Sequence, residues 1–419
     1  MSGALLELVA LGEQDKHLVG NPQISYFKSV NKSHTNFSME SIPIRSNEEP
    51  DFGKLVTFII EKKGDLLHKI LLEIELPQLQ TNPETNISWI NNIGNYIIDY
   101  IELDIGGITI DKRYGQWLDI SSELHIPKSH QDGYYEMNHK QDFMTNVANN
   151  ISCKLFIPLD FWFTKTIGNA LPLIALQYHD VKVNIKFKEF KDCYYSGLNL
   201  KTNPVNVSRA RFTSCNLFCD YIFLDIDERR NFAQSTHEYL IEQLQFNTVN
   251  NIQDNLNLKR IELDFNHPVK EIIWVIQLSE AKNYNDWTNY SNSLVSSTYT
   301  QVDETESGVV DPTGEILKDA VILINGHERF TPRKAKYFRL VQPFNHHTNI
   351  PRNFIYSYSF SLMPENSQPS GSLNFSRIDN SQLSLTCIDN VKECSVNVYA
   401  INYNILKIMS GMGGILYSN

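Results

Sequence analysis

The dominant pattern along the chain is a period of two. In "VKVNIKFK", Val181, Val183, Ile185 and Phe187 alternate with Lys182, Asn184, Lys186 and Lys188. "YSYSFSL" repeats the pattern from Tyr356 to Leu362, and "YIELDI" sets Ile101, Leu103 and Ile105 against Glu102 and Asp104. Such runs put one face in a core and the other toward water or a neighbour, as in antiparallel sandwiches. Helical periodicity is scarce, and its best candidate is "DERRNFAQSTHEYLIEQL", Asp227 to Leu244. Polar, turn-rich stretches at 119–150, 188–208 and 281–319 read as loops, the last of them long enough to be functional or an insertion. The pattern predicts an all-β protein with short helices in loops.

The two halves echo each other. "KILLEIEL" from Lys69 lines up with "EIIWVIQL" from Glu271, a shift of 202 residues. "DIGG" ending at Gly107 matches "LING" ending at Gly326, and "FIP" ending at Pro158 matches "LMP" ending at Pro364, shifts of 219 and 206. "VKVNI" from Val181 matches "LSLTC" from Leu383, again at 202. Four matches in one order predict two copies of one β-domain, joined around residues 226–240. A different echo, His-Thr-Asn at His34 and His347, has a shift of 313 and lies outside that register. Those triplets are not relics of the duplication.

A length of 419 residues suits two domains, and 42% apolar with 11% aromatic residues supplies their cores. The net charge of −11 argues against direct nucleic-acid binding, which needs clustered Lys and Arg. The basic run from Lys182 is instead a strand with a solvated face. No stretch approaches the ~18 apolar residues of a membrane helix. Glu7 interrupts the apolar start, so a cleaved signal peptide is not expected. Cys153, Cys193, Cys215, Cys219, Cys387 and Cys394 contain no CxxC pair and read as buried free thiols. Sequons at Asn31, Asn36, Asn86, Asn150, Asn206, Asn289 and Asn374 matter only in a glycosylating compartment.

The search for chemistry returns no catalytic, cofactor or metal site. His346 and His347 are adjacent, which on a strand sends them to opposite faces, and both read as structural. "GMGG" from Gly411 has no following helix to cradle a phosphate, and Gly106-Gly107 reads as a hairpin turn. Glu73 with Glu75 and Glu102 with Asp104 have the spacing of a solvated strand face rather than of a glycosidase pair. Asp225 and Asp227 complete the plentiful but unpaired acids. Trp89, Trp117, Trp162, Trp274 and Trp287 are scattered, which weakens the alternative of a glycan-binding or glycan-processing tandem jelly-roll protein.

Longer stretches carry a resemblance. "GNPQISYFKSVNKSHTNFSMESI" from Gly20, "LPLIALQYHDVKVNIKF" from Leu171, "DERRNFAQSTHEYLIEQLQF" from Asp227, "YFRLVQPFNHHTNIP" from Tyr337 and "VYAINYNILKIMSGMGGILYSN" from Val398 closely resemble the major capsid proteins of the nucleocytoplasmic large DNA viruses, of algal-virus and iridovirus-like type. "PIRSNEEPD" from Pro43 and most of 281–319 depart from that pattern. The resemblance implies a double jelly roll: two tandem eight-stranded jelly-roll β-sandwiches in one chain. The expected divisions are an arm at 1–22, a first jelly roll at 23–226, a linker or short helix at 227–239, a second roll at 240–405 and a tail at 406–419. It also implies a structural protein of the virion capsid, made and assembled in the host cytoplasm, with no enzyme activity. The expected partners are two further copies in a homotrimer, neighbouring capsomers, minor capsid proteins and the inner viral membrane.

Overall fold

Each alternating run singled out above holds a strand, although the one from Tyr356 to Leu362 is strand only as far as Ser359, and the strands repeat one plan. The computed structural model describes residues 3–79, 87–140, 152–196, 198–202, 205, 207–252, 258–292, 314–388 and 393–418. The first half holds β1 (Phe37–Ile44), β2 (Leu55–Ile60), β3 (Leu66–Leu76), β4 (Ile98–Ile105), β5 (Ile108–Tyr114), β6 (Cys153–Pro158), β7 (Val181–Phe187) and β8 (Ser214–Leu224). The second holds β9 (His237–Ile252), β10 (Leu258–Glu262), β11 (Pro268–Leu278), β12 (Leu317–Ile324), β13 (His327–Glu328), β14 (Ile355–Ser359), β15 (Ser381–Cys387) and β16 (Cys394–Met409). One sheet of the first half runs β1-β8-β3-β6 and the other β2-β7-β4-β5. In the second half the orders are β9-β16-β11-β14 and β10-β15-β12-β13. Adding eight to each strand number converts one half into the other. Each half is a jelly roll.

The register locates the repeat residue by residue. β3 and β11 are offset by 202 at both ends, as the sequence match requires. The turns at Gly107 and Gly326 both have positive φ and both join a strand to its hairpin partner. Ile105 pairs with Val181 and Ile324 with Ser381, so the true offset of β7 and β15 is 200. The sequence match at 202 is two residues out, which preserves the face of every side chain. "FIP" with "LMP" is a misalignment. Leu71 pairs with Pro158 and the equivalent Ile273 with Ser357, so Pro364 lies seven residues beyond the partner position.

Three further expectations need correction. Residues 119–150 are not simply a loop: α3 (Gly115–His125) and α4 (Lys128–Asn138) occupy their first part, and 141–151 lie outside the described residues. The helix expected over 227–244 stops early, as Ile226–Gln234, labelled α5. Beyond it, β9 begins at His237 and ladders along β16, so strand pairing overrides the helix propensity of Glu238, Glu242 and Gln243. The boundary drawn at 405 falls inside β16, which runs on to Met409 and turns back through β17 (Met412–Ile415). Leu406 and Ile408 of this hairpin are buried in the core of the first roll.

Residues Ser38–Asn419 form one compact unit, undivided between the two rolls. Met1–Phe37 form a separate unit with α1 (Gly3–Val9) and α2 (Lys16–Val19), neither of which buries a residue. No helix among the described residues is long and apolar enough to cross a membrane.

Gly115 shows why α3 starts where it does. A Cβ there would stand 2.2 Å from the Ile98 carbonyl oxygen and 2.4 Å from that of Asn95. The backbone oxygens cannot yield as a side-chain end can. Gly115→Ala should therefore destabilise the chain by roughly 1–3 kcal/mol, read as a lowered urea midpoint at unchanged slope. An unchanged midpoint would mean that the start of α3 tolerates a shift.

Candidate functional site

The seam between the two rolls gathers many of the buried charges among the described residues. Its apolar centre is α3, which sets Trp117, Ile120 and Leu124 against Ile273, Val275, Ile355, Tyr399 and Ile401 of the second roll. The β11 sheet is thereby covered on both faces. This is why Val269–Leu278 is buried at every position whereas β3, its counterpart, alternates.

Polar side chains ring that centre. Gln116 Oε1 accepts from Asn397 Nδ2 at 2.6 Å and from the Tyr399 hydroxyl at 2.7 Å. Asp119 accepts from Asn92 Nδ2 at 2.7 Å and Lys140 Nζ at 2.8 Å, and the Tyr96 hydroxyl bridges Asp119 to Tyr290. Glu123 accepts from Lys140 Nζ at 2.6 Å and from the backbone N–H of Arg352 at 2.9 Å.

A second cluster is fully ionic. Glu242, on β9, takes Lys165 Nζ of the first roll at 2.8 Å and Lys270 Nζ of β11 at 2.5 Å. Beside it Arg113 and Asp111 pair at 2.7 Å, and Asp111 accepts the Leu244 backbone N–H across the seam. Burial alone would raise the Glu242 carboxyl, but the two lysines outweigh it and hold it at about 2. Burial likewise opposes the charge on Lys165, yet Glu242 and Asp160 lift its pKa.

A third group surrounds His347, whose ring is fully buried. Its Nε2 lies 3.2 Å from Glu271 Oε2 and its Nδ1 3.1 Å from Glu365 Oε1. Burial works against its charged form, and the two carboxylates override that and raise it to about 9. His125, at the end of α3, packs its ring 5.7 Å from that of His347. Burial and then Lys165 push His125 down to about 4. A cavity of about 560 Å³ opens beside these groups, lined by Ser121, His125, Asp160, Lys165, Glu365 and Lys69 among others.

Of the residues considered from sequence, the seam recruits Trp117, Trp274's strand and His347. His346 stays outside it, bonded to the Leu362 carbonyl, and His34 is exposed in the N-terminal unit. Glu73 pairs with Lys154, Glu75 with Ser214 and Glu102 with Lys112, while Asp104 accepts from Gly107 N–H and Asp225 from Ile226 N–H. Asp227 sits in the first turn of α5, and none of these acids is brought to a shared cleft. Trp89, Trp117, Trp162 and Trp274 are buried and Trp287 half-buried, so they form no aromatic platform. The six cysteines are free thiols. Asn31, Asn36 and Asn374 are exposed and Asn289 is buried; Asn86, Asn150 and Asn206 lie outside the described residues. Sequence reasoning missed Lys165, Glu242, Lys270, His125 and Glu365. The one local signal was Lys270-Glu271 at the head of an apolar strand.

The lysine-bound carboxylate gives a signed expectation. The folded pKa of Glu242, about 2, lies below its ordinary 4.5. Its contribution is therefore present above pH 4.5 and lost as pH falls toward 2, about 3 kcal/mol in all. Glu242→Gln should lower the urea midpoint at pH 7 and flatten the acid limb of the stability profile. Parallel profiles for the two proteins would contradict the assignment.

Comparisons with known proteins agree with this architecture. Residues 25–225 match the family described as "Major capsid protein N-terminus", and residues 228–414 match "Large eukaryotic DNA virus major capsid protein". The division between the two falls at α5. Over its full length the chain is 42% identical to the major capsid protein of Pyramimonas orientalis virus and 36% identical to that of Paramecium bursaria Chlorella virus 1, in each case covering the whole relative. Among solved structures, it resembles the VP54 protein of PBCV-1, fitted into a reconstruction of the virophage Sputnik. That match has a TM-score of 0.80 at 33% identity, over 94% of this chain and 100% of that one. The major capsid protein of Faustovirus, at 12% identity and a TM-score of 0.73, shares the fold. The tandem rolls and these matches place the chain in the major capsid protein family of the large eukaryotic DNA viruses, a structural family and not one of enzymes.

Proposed function

We propose that three copies of the chain associate into a pseudo-hexagonal capsomer, and that such capsomers tile the faces of the icosahedral shell. The observation that carries this reading is the strand-for-strand equivalence of the two rolls. A trimer of single rolls offers three edges, whereas two equivalent rolls per chain offer six similar ones. The edge strands β2 and β10 expose Leu55, Ile59 and Leu258, apolar side chains on unpaired backbone that a neighbouring roll would cover.

The remaining partners follow from charge and exposure. A net charge of −11 gives the shell no electrostatic reason to hold DNA directly, so contact with the genome runs through other proteins or an inner membrane. The N-terminal unit exposes Leu5, Leu6, Leu8, Val9, Leu11 and Phe27, which suits docking to minor capsid proteins, to adjoining capsomers or to the membrane side. The free thiols suit synthesis and assembly in a reducing compartment, the host cytoplasm.

Native mass spectrometry of the purified chain should show a trimer at micromolar concentration. The chain lacking residues 2–20 should remain a trimer with a nearly unchanged melting temperature but fail to form shells. A stable monomer would overturn the capsomer reading, and normal shells from the truncated chain would overturn the role given to the arm.

A further inference from the structure

His125, His347 and Glu365 each bring one ligand atom into a group whose members all lie within 4.8 Å of one another. The three come from both sides of the seam. His125 closes α3 of the first roll, while His347 and Glu365 flank β14 of the second.

The hydrogen bonds set which ring nitrogens face inward. Asp160 is half-buried, and Lys165 and Arg113 overcome its desolvation to keep its carboxyl below the usual range, so it accepts only. The Ser121 hydroxyl donates to Asp160 Oδ2 at 3.3 Å, and its oxygen therefore takes the Nδ1–H of His125 at 2.9 Å. The lone pair of His125 is left on Nε2. That nitrogen lies 4.0 Å from Glu365 Oε1 and has no hydrogen-bond partner among the described residues. Two acceptors thus confront each other at the cavity wall with no donor between them, an arrangement that costs free energy unless a cation or a water stands there.

The outer atoms of both rings are held as metal-bound imidazoles are held. Metal-ligating histidines give their other nitrogen to a carboxylate or a hydrogen-bonded relay. His125 uses Ser121 and Asp160 for this. His347 sets its Nε2 3.2 Å from Oε2 of the buried carboxylate Glu271, an ion-pair contact. Glu365 is itself fixed by the Thr348 backbone N–H at 2.9 Å and by the Thr348 hydroxyl.

The spacing suits a small ion. Zinc with ligands at 2.0–2.2 Å in a tetrahedron needs about 3.4 Å between ligand atoms. Two of the three separations, 3.1 Å from His347 Nδ1 to Glu365 Oε1 and 4.0 Å from His125 Nε2 to the same oxygen, bracket that value, and the third lies within 4.8 Å. The adjoining cavity supplies an approach and room for a fourth, water ligand.

We propose that His125 Nε2, His347 Nδ1 and Glu365 form a site for a divalent transition-metal ion of zinc type, which pins the two jelly rolls of one chain together. On binding, the ion takes the place of any proton on His347 Nδ1, which leaves to solvent. The fourth position is a water facing the cavity. The role is structural, like that of a cross-link between rolls.

The test uses the purified full-length protein in its native assembly, stripped with a chelator and titrated with Zn²⁺ and, separately, with Co²⁺. One Zn²⁺ should bind per chain and raise the melting temperature, and Co²⁺ should give the visible bands of a nitrogen-containing tetrahedral site. His125→Ala, which removes a neutral ring at the cavity wall, should weaken binding at least tenfold and abolish the thermal shift. Glu365→Gln should act in the same direction. No saturable binding, or one-to-one binding with the same affinity in His125→Ala, would overturn the proposal.

Discussion

Glu242 sits between two lysines that come from different jelly rolls, and the rest of the seam depends on that arrangement. Removing three charges from water is expensive, and their mutual attraction returns that cost only when geometry is good. Here each partner is held by regular structure: Glu242 on β9 and Lys270 on β11, the two strands that flank β16 in one sheet, and Lys165 at the end of the one-turn helix Trp162–Lys165. The driving force for closure is apolar, from Trp117, Ile120 and Leu124 of α3 against the outer face of the β11 sheet. The ions decide which closed arrangement is allowed. Sliding one roll over the other would leave a buried carboxylate or ammonium without its partner, so the seam admits one register.

Much of this fold was legible in the sequence because strands with one buried face print their period directly. β7 alternates buried and half-buried positions without exception, and its reading needed no tertiary information. The repeat was legible where both copies are core, at β3 and β11, and drifted where loops of different length intervene, at Pro158 and Pro364. The seam was hidden for a physical reason. α3 reads "GQWLDISSELH", with Asp119, Ser121, Ser122 and Glu123 buried beside Trp117 and Leu124. Buried polar residues erase the amphipathic stripe by which a helix is recognised. Their partners, such as Lys140 for Asp119 and Arg352 for Glu123, lie too far along the chain for spacing to join them. His347 drew attention as one of a histidine pair. Its meaning comes from Glu271, Glu365 and His125, none of which adjoins it in sequence.

The duplicated architecture and the seam serve one purpose in a shell protein. Two rolls joined by a flexible linker would meet neighbouring subunits in variable orientation. Two rolls fixed by a buried interface meet them as one body. The chain shows this in its connections: β16 carries Leu406 and Ile408 of the second roll into the core of the first, and α3 returns the exchange. Each roll completes the other, in agreement with the single compact unit spanning Ser38–Asn419.

That mutual dependence is tested most directly by hydrogen–deuterium exchange with mass spectrometry near the urea midpoint. The readout is the exchange of peptides covering Leu66–Leu76 of the first roll and Pro268–Leu278 of the second. If the seam makes the rolls one cooperative body, both peptides lose protection together, at one rate and one urea concentration. Loss of protection in one roll while the other stays fully protected would contradict the account.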